Sequence, residues 1–131
     1  MIVVDTSALI AILRDEPEAE AFLRIIADAD GCLMISVGVM EASLVLAGRS
    51  GDETSWLGLD QFIARAEIEV VAQDHVLAGL GRDAFLRFGK GRHPAALNMG
   101  DCASYALAKA RGLPLLFKGN DFRHTDLTPA A

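Results

Sequence analysis

The sequence predicts an α/β protein: a three-layer α/β/α arrangement around a central, mostly parallel sheet of four to five strands. Three observations predict it. Four short apolar runs, Ile2–Val4, Cys32–Ser36, Ile68–Val71 and Leu113–Phe117, have strand length and are bounded by turn residues. Between them lie stretches whose apolar residues recur at helical spacing. Strands alternating with helices imply a parallel sheet covered on both faces, and right-handed crossovers put the strand carboxyl ends along one edge.

The elements follow in order. Ile2-Val3-Val4 is a strand buried on both faces, and Asp5 stands where it ends. Ala8 to Leu13 reads as helical. Pro17 suits the first turn of a second helix, with Asp15 or Glu16 near its cap, and Ala19, Phe22, Leu23 and Ile26 form one stripe. Asp28 to Gly31 is a turn, and Cys32 to Ser36 the second strand. A helix from about Val37 to Ala47 stops at Gly48. A polar loop runs to Ser55, and Leu59, Phe62, Ile63 and Ala66 mark the next helix. Ile68 to Val71 is a third strand, placed near an edge by Glu69. Asp74 caps a helix that ends near Phe88, and Gly89 to Pro94 is a basic loop. Gly100 to Arg111 is helical, stopped by Gly112 with Pro114 beyond it. Leu113 to Phe117 is the fourth strand, and Leu127 a candidate for a short last one.

With 131 residues and 52% hydrophobic content, the chain is long enough for one domain, 1–131, with a real core. No apolar run is long enough to span a membrane, and no basic region precedes an apolar one at the N-terminus. Two cysteines in apolar stretches are too few for a disulfide framework, so a reduced, cytoplasmic protein is expected. The net charge of −6 argues against a generic nucleic-acid coat, but the sign is uneven: −9 over residues 1–73 and +3 over 74–131. The stretch Arg82, Arg87, Lys90, Arg92, His93 is either a solvated surface or a patch that binds a phosphate backbone beside an acidic site.

Four of the 18 acids are out of place. Asp5 ends a buried strand, where the ordinary role is a helix cap. Glu41 has Val37, Leu44 and Val45 as its helical neighbours and so falls in an apolar stripe; an ion pair with an arginine is the ordinary alternative. Asp101 opens a helix that is apolar nearly all round, three residues after a capping Asn98. Asp121 follows the fourth strand in an Asn-Asp turn. Asp5 and Asp121 fall past strand ends, while Glu41 and Asp101 fall early on helices, so all four can meet at one sheet edge. Two carboxylates about 4 Å apart repel by roughly 4 kcal/mol at an effective dielectric near 20. Four together require protonation or cations. Oxygen ligands favour Mg²⁺ or Mn²⁺, and neither histidines nor cysteines show zinc spacing. Such a site suits phosphodiester hydrolysis by a metal-activated water. Thr6 and Ser7 are candidates to fix Asp5 or the attacking water by hydrogen bonds.

These residues carry a family resemblance. Met1 to Leu9, Glu41, Asn98-Met99-Gly100-Asp101-Cys102-Ala103-Ser104-Tyr105-Ala106 and Lys118-Gly119-Asn120-Asp121-Phe122 resemble PIN-domain proteins, and more closely the VapC toxins of bacterial toxin–antitoxin pairs. The resemblance implies a PIN-like fold and a Mg²⁺- or Mn²⁺-dependent endoribonuclease. Its four acids fall on Asp5, Glu41, Asp101 and Asp121, with Asn120 as a supporting neighbour. It further implies a homodimer and a VapB-like antitoxin that blocks the site. A competing reading is an acidic-pocket binding module that docks a basic partner segment without chemistry. A phosphatase of the haloacid dehalogenase type wants an aspartate where Ser7 stands, and no P-loop is present.

Overall fold

The computed structural model describes residues 1–131. Its elements are β1 (Ile2–Val4), α1 (Thr6–Leu13), α2 (Ala19–Asp28), β2 (Cys32–Ile35), α3 (Ser36–Ala47), α4 (Leu57–Arg65), β3 (Ile68–Val71), α5 (His75–Phe88), α6 (Met99–Arg111) and β4 (Leu115–Leu116), followed by a 3₁₀ turn, Asp121–His124. The four strands form one sheet in the order β3-β2-β1-β4, with every pair parallel. Glu69 lies exposed on β3, at the sheet edge the sequence assigns to it.

Strand side chains alternate between faces, and this divides the core in two. Val3, Leu33, Ile35 and Leu115 pack under α5 and α6 with Leu77, Phe88, Tyr105 and Leu107. Ile2, Val4, Met34 and Leu116 face α1, α2 and α4, against Leu9, Phe22, Ile26 and Leu59. Burial of β1, β2 and β4 on both faces is what makes them read as unbroken apolar runs. No helix is long and apolar enough to cross a membrane.

Several boundaries differ from the expectation. The second helix starts at Ala19; Pro17 and Glu18 lie in a turn before it, and no side chain caps it. The fourth strand keeps only Leu115 and Leu116. Gly112 adopts φ +63°, and the Leu113 N–H returns to the Ala108 carbonyl, so Leu113 belongs to the helix stop. Phe117 leaves the ladder at the other end. Leu127 is not in a strand; the tail lies beside β4 through one parallel bridge, Leu115 to Pro129. The tail is pinned by Asp126, which accepts from Tyr105 and Lys109 and pairs with Arg87. Burial alone would raise the Asp126 pKa, but the donors and charges of these partners hold it below the ordinary value.

The topology has one switch point. From β1 the chain steps to β2 and then β3 in one direction, whereas β4 lies on the other side of β1. A crevice therefore opens at the carboxyl ends of β1 and β4.

Candidate metal centre

Asp5 stands at that crevice. Its N–H continues the ladder to the Leu116 carbonyl (2.9 Å), which fixes its backbone against β4. The side chain is buried and caps α1, with Oδ2 accepting from the Ser7 N–H (3.0 Å) and the Ser7 hydroxyl (2.6 Å). The Ser7 oxygen accepts in turn from the Lys118 N–H (3.0 Å), so the segments after β1 and β4 are tied together. Oδ1 accepts from the Ser104 hydroxyl (2.6 Å) on α6. The cap expected as the ordinary role of Asp5 is present, and it coexists with a position at the crevice.

Thr6 does not hold Asp5. Its hydroxyl donates to the Gly38 carbonyl (2.9 Å) and ties α1 to α3. Burial raises the Glu41 pKa; the Thr6 hydroxyl opposes this and the Asp5 charge adds to it.

Glu41 is partly buried, but for a different reason from the one its neighbours suggest. Leu44 and Val45 are 63% and 43% exposed, so the apolar stripe of α3 faces outward. Glu41 is covered instead by α6. A Cβ added to Gly100 would lie 2.3 Å from Glu41 Oε2, so glycine is what admits the carboxylate against the start of that helix. Glu41 also borders an apolar groove of about 370 Å³ that it shares with Val37, Met40 and Met99. The largest groove, about 620 Å³, lies beside this one between α3, α5 and α6 and contains none of the four acids.

Asp101 forms a capping box with Asn98: the Asp101 N–H donates to Asn98 Oδ1 (2.9 Å) and the Asn98 N–H to Asp101 Oδ2 (3.0 Å). Its pKa is pushed up to about 7. Burial is the main cause; the Asn98 N–H pulls the other way, and the charges of Asp5, Glu41 and Asp121 add to the rise. Asp121 opens the 3₁₀ turn and is exposed, while the Asn120 side chain before it caps nothing.

Ion pairing does not explain the four acids. No lysine, arginine or histidine nitrogen lies within 4.0 Å of any of them. This overturns the ion-pair alternative for Glu41. Lys118 is turned to Glu16 (2.8 Å) and Glu18 (3.5 Å). In the basic stretch, Arg87 stacks on Phe88 and pairs with Asp126, and Arg92 donates to the Leu86 carbonyl, so two of its charges serve the fold.

As they stand, no three histidine, cysteine, aspartate or glutamate side chains converge closely enough to hold an ion. The donor set nevertheless fits a hard cation. It is all carboxylate oxygen, it lacks a protein cation, and burial, with a further contribution from the other three charges, drives Asp101 toward protonation. Ser104 is the residue sequence reasoning missed. Its signal was its place three residues after Asp101, on the same helical face of an otherwise apolar helix.

Comparison with known proteins agrees with this architecture. Residues 2–127 match the family model of the PIN domain. Ribonuclease VapC of Mycolicibacterium smegmatis is 49% identical over 125 residues, covering 95% of this chain and 96% of its own. Ribonuclease VapC30 of Mycobacterium tuberculosis is 46% identical over 129 residues, 98% of each chain. Among solved structures, Mycobacterium tuberculosis VapC20, a sarcin-ricin loop cleaving toxin, superposes with a TM-score of 0.77 at 16% identity, covering 98% of this chain and 97% of its own. VapBC2 from Rickettsia felis, bound to a DNA fragment from its promoter, gives 0.75 at 17% identity over 98% of this chain and 97% of its own.

Proposed function

The chain belongs to the PIN-domain family, and from that premise we propose that it is the endoribonuclease toxin of a toxin–antitoxin pair, hydrolysing RNA phosphodiester bonds with the help of Mg²⁺ or Mn²⁺. The observation that carries the metal reading is geometric: four carboxylates from β1, α3, α6 and the turn after β4, with no lysine, arginine or histidine nitrogen within 4.0 Å of any of them. The raised pKa of Asp101, due first to burial and then to the charges of Asp5, Glu41 and Asp121, agrees with that reading.

Asp5, Glu41, Asp101 and Asp121 are the residues that would hold the ion. Bound there, it supplies a water made nucleophilic near neutral pH and offsets the repulsion between acids and phosphate. The chain's own contributions are positional. Ser7 and Ser104 hold the Asp5 carboxylate, Gly100 lets Glu41 approach α6, and Asn98 orients Asp101. One nuclease domain spans 1–131, in the cytoplasm. The partners are RNA, a VapB-like antitoxin and a second copy of the chain. Met40, Leu44, Phe85, Leu86 and Met99 are large apolar side chains left exposed around the two grooves, and their exposure supports a protein-covered face there.

The test is RNA cleavage by the full chain. Asp5→Asn removes the central acid at nearly unchanged shape. It is expected to abolish cleavage while circular dichroism stays native, and excess EDTA is expected to do the same to the wild type. Cleavage that survives in either case refutes the metal mechanism.

A further inference from the structure

The Asp5 carboxylate is 2% exposed and has no cationic partner, so hydrogen bonds alone hold its charge. A carboxylate offers about four lone-pair positions. Three are taken: two on Oδ2 by the N–H and hydroxyl of Ser7, one on Oδ1 by the hydroxyl of Ser104.

The two serines differ in kind. Ser7 is two residues from Asp5 and belongs to the same capped turn, and its hydroxyl is locked by the Lys118 N–H. Ser104 comes from α6, the helix that carries Asp101, and is 1% exposed. A serine inside a helix commonly returns its hydrogen to the carbonyl four residues back, which here is Gly100. Instead the hydrogen crosses to Asp5, 99 positions away in sequence. It makes the direct hydrogen bond between the acid of β1 and the helix of Asp101. With Oδ2 saturated, this bond sets the rotation of the carboxylate and determines which Oδ1 lone pair stays open.

We infer that Ser104 is a positioning residue: it fixes the plane of the Asp5 carboxylate and leaves a single Oδ1 position for a divalent cation. The inference rests on the ligand role proposed above for Asp5. Groups that orient metal ligands typically govern about 10- to 100-fold in affinity.

The experiment is calorimetric titration of the full chain with Mn²⁺, beside thermal melts in EDTA. Ser104→Ala keeps the shape and removes the donor. It is expected to weaken Mn²⁺ binding about 10- to 100-fold while circular dichroism remains native. Should Ser104→Ala fail to fold, Ser104→Cys takes its place, since a thiol of similar size donates only weakly. A folded variant that melts lower but binds Mn²⁺ like the wild type makes Ser104 merely structural and overturns the inference. Asp5→Asn separates the two levels. If it loses binding while Ser104→Ala retains it, only the role of Ser104 fails. If Asp5→Asn itself binds normally, the ligand reading of Asp5 fails first.

Discussion

Asp101 shows how one side chain can be a helix cap and a member of an acidic site at once. Its Oδ2 accepts from Asn98, which stabilises ionisation, yet burial and three neighbouring acids outweigh that bond and lift the pKa to about 7. The sign of the stability effect follows. The unfolded carboxyl loses its proton near pH 4, whereas the folded one keeps it until about 7. Stability therefore falls as pH rises through that window and is level above it. Asp101→Asn removes the titration and retains an oxygen to accept from Asn98. In EDTA its melting temperature should exceed the wild type at pH 8, with a much smaller gap at pH 4.5. The difference is on the order of 2 kcal/mol, below what three pKa units would imply because the group keeps some water contact. For a chain of this size that is about 6 °C. Calorimetric melts at the two pH values measure it; an equal gap at both would mean that the Asp101 carboxyl is not raised in the fold. Of the residues proposed for the site, the caps of Asp5 and Asp101 were legible from their places at a strand end and a helix start, whereas the burial of Glu41 was expected for the wrong reason. Ser104 was not legible, since a single small polar residue in an apolar helix announces no partner 99 positions away.

At the scale of elements, the close approach of α3 and α6 decides where Glu41 can sit. Gly100 adopts no positive φ, so its need for glycine comes from space and not from backbone conformation. An alanine Cβ there would meet Oε2 at 2.3 Å and Cδ at 2.6 Å. Those atoms end a flexible side chain, so Gly100→Ala should displace the carboxylate and leave the helices in place. We expect RNA cleavage to fall at least about tenfold, as misplacement of one catalytic group typically does, with a melting temperature within about 3 °C of the wild type. A large loss of stability with normal specific activity would place the strain on the backbone instead. Helix boundaries were readable where caps exist: Asp74, the Asn98–Asp101 box and Gly112 all sit where the chain pattern puts them. The start of α2 was misread because Pro17 serves a turn and no side chain caps that helix. The apolar stripe of α3 was misread because periodicity reports that a face is apolar, not what covers it. Leu44 and Val45 remain open to solvent in the single chain.

For the whole molecule, the sheet order decides whether four acids distant in sequence can serve the one site proposed here. Positions 5 and 121 follow β1 and β4, while 41 and 101 lie on α3 and α6, and parallel strands with a switch point between β1 and β4 are what would let the proposed site draw on all four. The parallel sheet was legible because strand and helix patterns alternate so cleanly; the strand order, and with it the switch point, comes from the structure alone. The unfolded chain keeps the acids apart and offers no comparable site, so a divalent cation should bind the native state alone and stabilise it by linkage. At a concentration ten times the dissociation constant the gain is about 1.4 kcal/mol, or about 4 °C. Added Mg²⁺ should thus raise the melting temperature, and Asp5→Asn with Asp101→Asn should remove most of the rise. Screening by salt also weakens repulsion among acids, so the comparison must be made against NaCl at matched ionic strength. A rise that NaCl reproduces would reduce the acidic edge to diffuse repulsion. A rise specific to Mg²⁺, and lost in the double variant, requires a site that these acids form together.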